Sequence, residues 1–196
     1  MAERPDDGLL AEEGASSESE NGRRWVVDPL DGTVNFLYGF PAWCVSVGLE
    51  DAGGVAVGVI HDPLRRETFR AVRGGGCELN GEPVRIRERD RLEIALIATG
   101  FSYDPDRRAE QADLLAHVLP RVRDVRRAGA AALDLAWVAA GRVDGYFERG
   151  GKPWDWAAGR LLVVEAGGAV ADLPGEPVGL AAANPGLLPA LVELVT

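Results

Sequence analysis

The sequence predicts a layered α/β or α+β fold, on three observations. Short apolar runs rich in β-branched residues recur between turn signals, longer stretches carry apolar residues at helical spacing, and the two kinds both alternate and cluster along the chain. With 196 residues and a hydrophobic fraction of 46%, the chain can bury a core of ordinary size as one domain over residues 1–196.

Residues 14–24, with their Ser, Glu, Asn and Gly, are too polar to pack and read as a mobile loop. Trp25, Val26 and Val27 form a β-type run that ends at Asp28-Pro29, because proline brings no N–H to a ladder. Residues 45–49, 55–60 and 68–72 read as strands joined by Gly53-Gly54 and by Asp62-Pro63, an antiparallel meander. A further strand fits 93–98, and 106–119 shows helical spacing stopped by Pro120. A second helix fits 133–140. The small residues Ala128-Gly129-Ala130-Ala131 ahead of it leave its first-turn N–H groups open to an anion. Residues 143–148 read as a strand, and 155–166 as a helix stopped by Gly167-Gly168, with Asp155 at or near its N-terminus.

Charge and cysteine usage exclude several classes. A net charge of −10 opposes the attraction to phosphates that supplies most non-specific nucleic-acid affinity, so no nucleic-acid partner is expected. Cys44 and Cys77 show neither a metal-ligand spacing nor a disulfide framework, which fits a reducing cytoplasm. No apolar run approaches the roughly 20 residues that cross a bilayer, and the start MAERPDDGLL lacks a basic-then-apolar leader, so no membrane partner is expected. His61 and His117 read as structural or surface residues.

The chemistry concentrates at residues 28–36, DPLDGTVNF. On a chain that turns after a strand, Asp28 and Asp31 can converge on one point, and two hard oxygen ligands suit Mg²⁺. A magnesium site of this kind needs further acids, for which Glu12, Glu13 and Asp155 are the candidates. Gly32 permits close backbone approach, and the Thr33 hydroxyl can bond a water or a phosphate oxygen. Each piece alone has an ordinary reading. Asp-Pro-x-Asp-Gly is turn chemistry, Asp155 is a helix N-cap, and Glu12-Glu13 is a solvated pair. Their co-occurrence favours a metal site.

DPLDGTVNF followed by WDWAAG at 154–159 resembles the two signature segments of the inositol monophosphatase family. Ala11-Glu12-Glu13-Gly14 is similar to its upstream metal-binding segment, with alanine in the leading place, and the likeness continues through AGAAALDLAWVAAGRVDGYFE and EAGG. The resemblance implies a layered α-β-α-β sandwich of the inositol monophosphatase and fructose-1,6-bisphosphatase type, with mixed and antiparallel sheets. It implies a lithium-sensitive enzyme, commonly a homodimer, that uses two or three Mg²⁺ to activate water against a small-molecule phosphate monoester, inositol monophosphate first. Carried over by residue, Glu12, Asp28 and the Leu30 carbonyl would hold a first magnesium, and Asp28, Asp31 and Asp155 a second. Thr33 with Glu12 would orient the attacking water. Gly32 and Thr33 would bind phosphate in the pocket that Asp31 and Asp155 share. Glu148 would meet a sugar-like hydroxyl, and Gly129 to Ala131 would line the same pocket. Ser102 matches more weakly and reads as a loop serine.

The resemblance also implies a pair of helices ahead of Glu12, where only about ten residues stand, so the chain reads as short at its N-terminus and less stable than an extended one. Two alternatives stay open: the same chemistry on histidinol phosphate, fructose bisphosphate or 3′-phosphoadenosine 5′-phosphate, and a truncated homologue that binds metal or dimerises without turnover.

Overall fold

The computed structural model describes residues 3–196, in which two sheets and five α-helices form four layers. The first sheet takes β1 (Gly8–Ala11), β2 (Ser16–Ser17), β3 (Arg24–Asp31), β4 (Cys44–Asp51), β5 (Gly54–Asp62), β6 (Glu67–Val72), β7 (Gly76–Leu79) and β8 (Glu82–Pro83) in the order β2-β1-β3-β4-β5-β6-β7-β8. From β3 to β8 it is the expected antiparallel meander. Only β1 runs parallel to its neighbour β3. The second sheet takes β9 (Leu96–Thr99), β10 (Asp124–Arg126), β11 (Gly145–Arg149), β12 (Ala169–Leu173) and β13 (Gly179–Ala183), ordered β10-β9-β11-β13-β12. It is mixed, with β10, β9 and β11 parallel and β13 antiparallel to both its neighbours.

Period-two alternation assigns each strand face to a layer. On β11 Tyr146 points to the core shared with the first sheet, α3 (Ala131–Ala139) and α4 (Pro153–Glu165), while Phe147 points to the core under α2 (Pro105–Val118) and α5 (Leu188–Val195). The layers therefore run sheet, α3 with α4, sheet, α2 with α5. This is the α-β-α-β sandwich that the sequence led us to expect. Small residues bring α4 down onto the meander: a Cβ at Gly58 would sit 2.8 Å from the Ala158 carbonyl, and one at Gly159 would sit 2.6 Å from Leu135 of α3. The Ala157-Ala158-Gly159 part of WDWAAG is thus a packing device that seats Asp155, two residues ahead of it on the same helix.

Several expectations are corrected. β3 does not stop at Asp28-Pro29; it continues to Asp31 through a bulge, since Asp28 pairs with Ser46 and Asp31 with Cys44, three steps against two. Pro29 sits where the bulge leaves no ladder bond to donate. Within 14–24, expected to be loop, Ser16 and Ser17 pair with Leu10 and Leu9, and Asn21 Nδ2 donates to buried Asp7 at 2.7 Å. The strand expected at 93–98 is a 3₁₀ turn at Leu92–Ile94 followed by β9. The short helix α1 (Thr33–Tyr38) was not expected, because its exposed Phe36, Leu37 and Tyr38 give no amphipathic signal.

Candidate active site

The β3 bulge creates the site. In a regular strand residues three apart face opposite ways. The extra residue between Asp28 and Asp31 turns both side chains inward, where Asp28 is 1% and Asp31 9% exposed, and both line one cavity of about 1000 Å³. Glu12 reaches the same cavity from the end of β1, where its N–H donates to the Val27 carbonyl at 3.2 Å. Asp155 enters from the first turn of α4, and its Oδ2 accepts the Lys152 N–H at 2.6 Å. Asp155 is not the N-cap, as its sequence position alone suggests, but the third residue of α4: Lys152 is the N-cap, and the Asp155 carboxylate reaches back to its N–H while lining the cavity. Glu13 lies outside the cavity.

Local bonds fix this wall. Asp28 Oδ1 accepts the Leu30 N–H at 2.9 Å, and Thr33 Oγ1 donates to the Leu30 carbonyl at 2.9 Å. Gly32, at φ 92°, makes the turn into α1, and a Cβ there would stand 2.9 Å from the Ala42 carbonyl. Asn35, which the sequence reading passed over, is buried and donates through Nδ2 to the carbonyls of Ala42 (2.6 Å) and Ala128 (2.8 Å), tying α1 to the segment before α3. Asp31 Oδ2 accepts the Ala132 N–H at 2.7 Å and faces Cys44 Sγ at 3.7 Å. The α3 first turn is therefore not wholly open to an anion. One of its N–H groups is committed to Asp31.

The opposite wall carries Glu148 of β11, whose Oε2 accepts from Tyr146 Oη at 2.7 Å, together with Gly129, Ala130 and Ala131. Arg127, over the Phe101 ring at 5.8 Å, completes it. Ser102 lines the cavity, but its Oγ accepts the Asp104 N–H at 3.1 Å in the turn that starts α2, which is the loop role expected. His61 bonds Thr68 at 2.9 Å, and neither His61 nor His117 lines the cavity. Asp134 of α3 was missed by the sequence reading: it is 1% exposed, borders the cavity, and its Oδ1 has no hydrogen-bond partner among the described residues.

Burial and mutual repulsion make these carboxylates hard to ionise. Burial, then the charges of Glu12 and Asp155, push Asp28 up to about 7. Burial, then Asp28 and Asp155, hold Asp31 well above the carboxylate range. Asp155 is raised to about 6 by burial and then by Glu12. Glu148 is raised to about 7 by burial, although the Tyr146 hydrogen bond and Arg127 oppose this. Among the described residues none of Glu12, Asp28, Asp31 or Asp155 forms an ion pair with a basic side chain. Nor, among the described residues, do three acid, cysteine or histidine side chains form a ready-made metal cluster. The four acids face one space without closing on one point. A donor set of this kind, all hard oxygen and without an ion pair among the described residues, fits divalent Mg²⁺, which keeps waters in its shell and needs few protein oxygens.

The sequence matches the pattern of the inositol monophosphatase family over residues 1–193. It is 49% identical over 172 residues to the Nus factor SuhB of Xylella fastidiosa, covering 87% of this chain and 62% of that protein. To the inositol-1-monophosphatase SuhB of Mycobacterium tuberculosis it is 47% identical over 176 residues, covering 85% and 61%. This chain thus spans somewhat over three-fifths of those relatives. Among solved structures, the extragenic suppressor protein suhB of Bartonella henselae superposes with a TM-score of 0.93 at 41% identity, over 100% of this chain and 78% of that one. The inositol monophosphatase of Anabaena does so at 0.90 and 39%, over 98% and 79%. The motif, the four-layer fold and these matches agree, and the chain belongs to the inositol monophosphatase family.

Proposed function

We propose that the cavity is the active site of a Mg²⁺-dependent phosphate monoesterase acting on inositol monophosphate. The observation that carries the proposal is the gathering of Asp28, Asp31 and Asp155 around one cavity, none of them ion-paired among the described residues. Glu12, Asp28, the Leu30 carbonyl, Asp31 and Asp155 would hold two or three Mg²⁺. Bound there, the metal supplies a more acidic water and neutralises charge on the phosphoryl oxygens. Thr33 commits its hydroxyl proton to Leu30, so its lone pairs face outward to orient a water, and Glu12 beside Asp28 can accept that water's proton. The Gly32 and Thr33 N–H groups at the start of α1 suit phosphate oxygens. Glu148 accepts from a ring hydroxyl, while Gly129 and Ala131 leave room for the ring.

The substrate reading is supported by the family description and by the name of the Mycobacterium tuberculosis relative. The Nus-factor name of other relatives concerns a role to which this cavity's chemistry does not speak. We further take residues 1–196 as one domain, since both sheets share a core, and the protein as cytoplasmic, homodimeric and lithium-inhibited. No described helix is long and apolar enough to cross a membrane. Exposed Leu37, Tyr38 and Phe40 offer apolar surface to a second copy. Phosphate release from inositol monophosphate, histidinol phosphate, fructose bisphosphate and 3′-phosphoadenosine 5′-phosphate, with and without Mg²⁺, tests the proposal. We expect Mg²⁺-dependent release, fastest on inositol monophosphate and lost in Asp155→Asn. Preference for another ester would move the substrate, and no release on any would overturn the enzyme reading.

A further inference from the structure

Glu148 is a long, mobile side chain, and an acceptor for a substrate hydroxyl works only if it is already in place. Two neighbours set where it lies, one by bonding it and the other by leaving it room. Tyr146, two residues earlier on the same face of β11, is fully buried in the core between the sheets, and its Oη donates to Glu148 Oε2 at 2.7 Å. That bond anchors the carboxylate through one oxygen and leaves it further lone pairs at the cavity it lines. On the other side, β9 runs parallel to β11 with Thr99 opposite Phe147, which brings Gly100 alongside Glu148. A Cβ at Gly100 would overlap the Glu148 carboxylate, so the carboxylate lies where any side chain at position 100 would stand.

We propose that Tyr146 and Gly100 are positioning residues that fix the Glu148 carboxylate to accept a hydroxyl of the substrate, and so set the preference for polyol phosphates over phosphate esters without hydroxyls. The proposal rests on the phosphatase reading above. A merely structural Tyr146–Glu148 bond would affect folding and all substrates alike. A positioning bond acts only through Glu148 and only on substrates that Glu148 touches.

The test compares kcat/KM for inositol monophosphate with that for p-nitrophenyl phosphate, in Mg²⁺, for the full chain and for Tyr146→Phe, Glu148→Gln and the double variant. In Tyr146→Phe the ratio falls about tenfold, the order expected for a lost hydrogen bond to a charged group, and the fall lies in KM for inositol monophosphate. The double variant falls no further than Glu148→Gln alone. Gly100→Ala lowers the same ratio; Tyr146→Phe, which keeps the buried ring, carries the test if Gly100→Ala does not fold. An unchanged ratio in Tyr146→Phe, or losses that add in the double variant, would overturn the proposal and leave the phosphatase reading intact. No turnover of either ester by the unaltered chain would overturn both.

Discussion

Two sets of buried aspartates in this molecule are handled in opposite ways. Asp62, at the end of β5, and Asp144, just before β11, are both fully buried and supplied with cations. Asp62 pairs with Arg65 at 2.8 Å and accepts the Leu64 and Arg65 N–H groups at 3.0 Å each. Asp144 accepts the Leu96 N–H at 2.8 Å and pairs with Arg89 at 3.3 Å. Asp28 and Asp31 are buried as well, yet each accepts a single backbone N–H, Asp31 with the Cys44 thiol besides, and each has another carboxylate in its field. Asp62 and Asp144 have a counter-charge from this chain. Among the described residues Asp28 and Asp31 have no ion pair, and the proposed cation site rests on that difference.

Substitutions should separate the two sets sharply. Asp28→Asn and Asp31→Asn should each lower Mg²⁺-dependent phosphate release by about a thousandfold, the several kcal/mol that metal-held charge supplies, whereas Asp144→Asn should keep its activity per folded molecule. Asp62→Ala should lower stability to urea by about 2 kcal/mol, because two backbone donors and Arg65 lose their acceptor while Arg65 still reaches solvent. Asp31→Asn should do the reverse in the absence of metal, raising Tm at pH 8 by about 4 °C because it removes a carboxyl that burial, and then its acidic neighbours, make costly to ionise, with the Ala132 N–H still satisfied by the amide oxygen.

The smallest expected effect is on pH dependence. The folded values of Asp28, about 7, and Asp155, about 6, lie above the ordinary 3.8. Their contribution to stability is therefore complete below about pH 4 and lost as pH rises through 6 and 7. Without metal, Tm should fall between pH 5 and 8 more steeply in the unaltered chain than in Asp28→Asn. A parallel fall would mean that burial and the neighbouring acids do not raise Asp28 as stated.

Much of this was legible in the sequence because the signals are local. The meander shows in its turn residues, and Asp28, Asp31, Thr33 and Asp155 show in two short segments. The bulge that aims Asp28 and Asp31 was not legible, since Pro29 reads as a strand stop unless the pairing with β4 is known. Alanine-rich β13, Gly179–Ala183, has no β-branched residues, so only its place between β11 and β12 makes it a strand. The contact between Asp31 and the Ala132 N–H joins residues 101 apart and leaves no trace in spacing. The Tyr146–Glu148 pair, by contrast, is two residues apart on one strand and could have been found from alternation alone.

The central claim is that the cavity's carboxylates are a cation site held partly protonated until the cation arrives. It is tested most directly by titrating Mg²⁺ into the full chain at pH 6.5 by calorimetry, in two buffers of different ionisation heat. The account predicts binding that releases protons, because Asp28 and Asp155 must ionise to hold the metal, and weaker binding with a smaller release in Asp28→Asn, where Asp155 alone is left to ionise. Mg²⁺ binding with no proton release, or equal binding by Asp28→Asn, would contradict it.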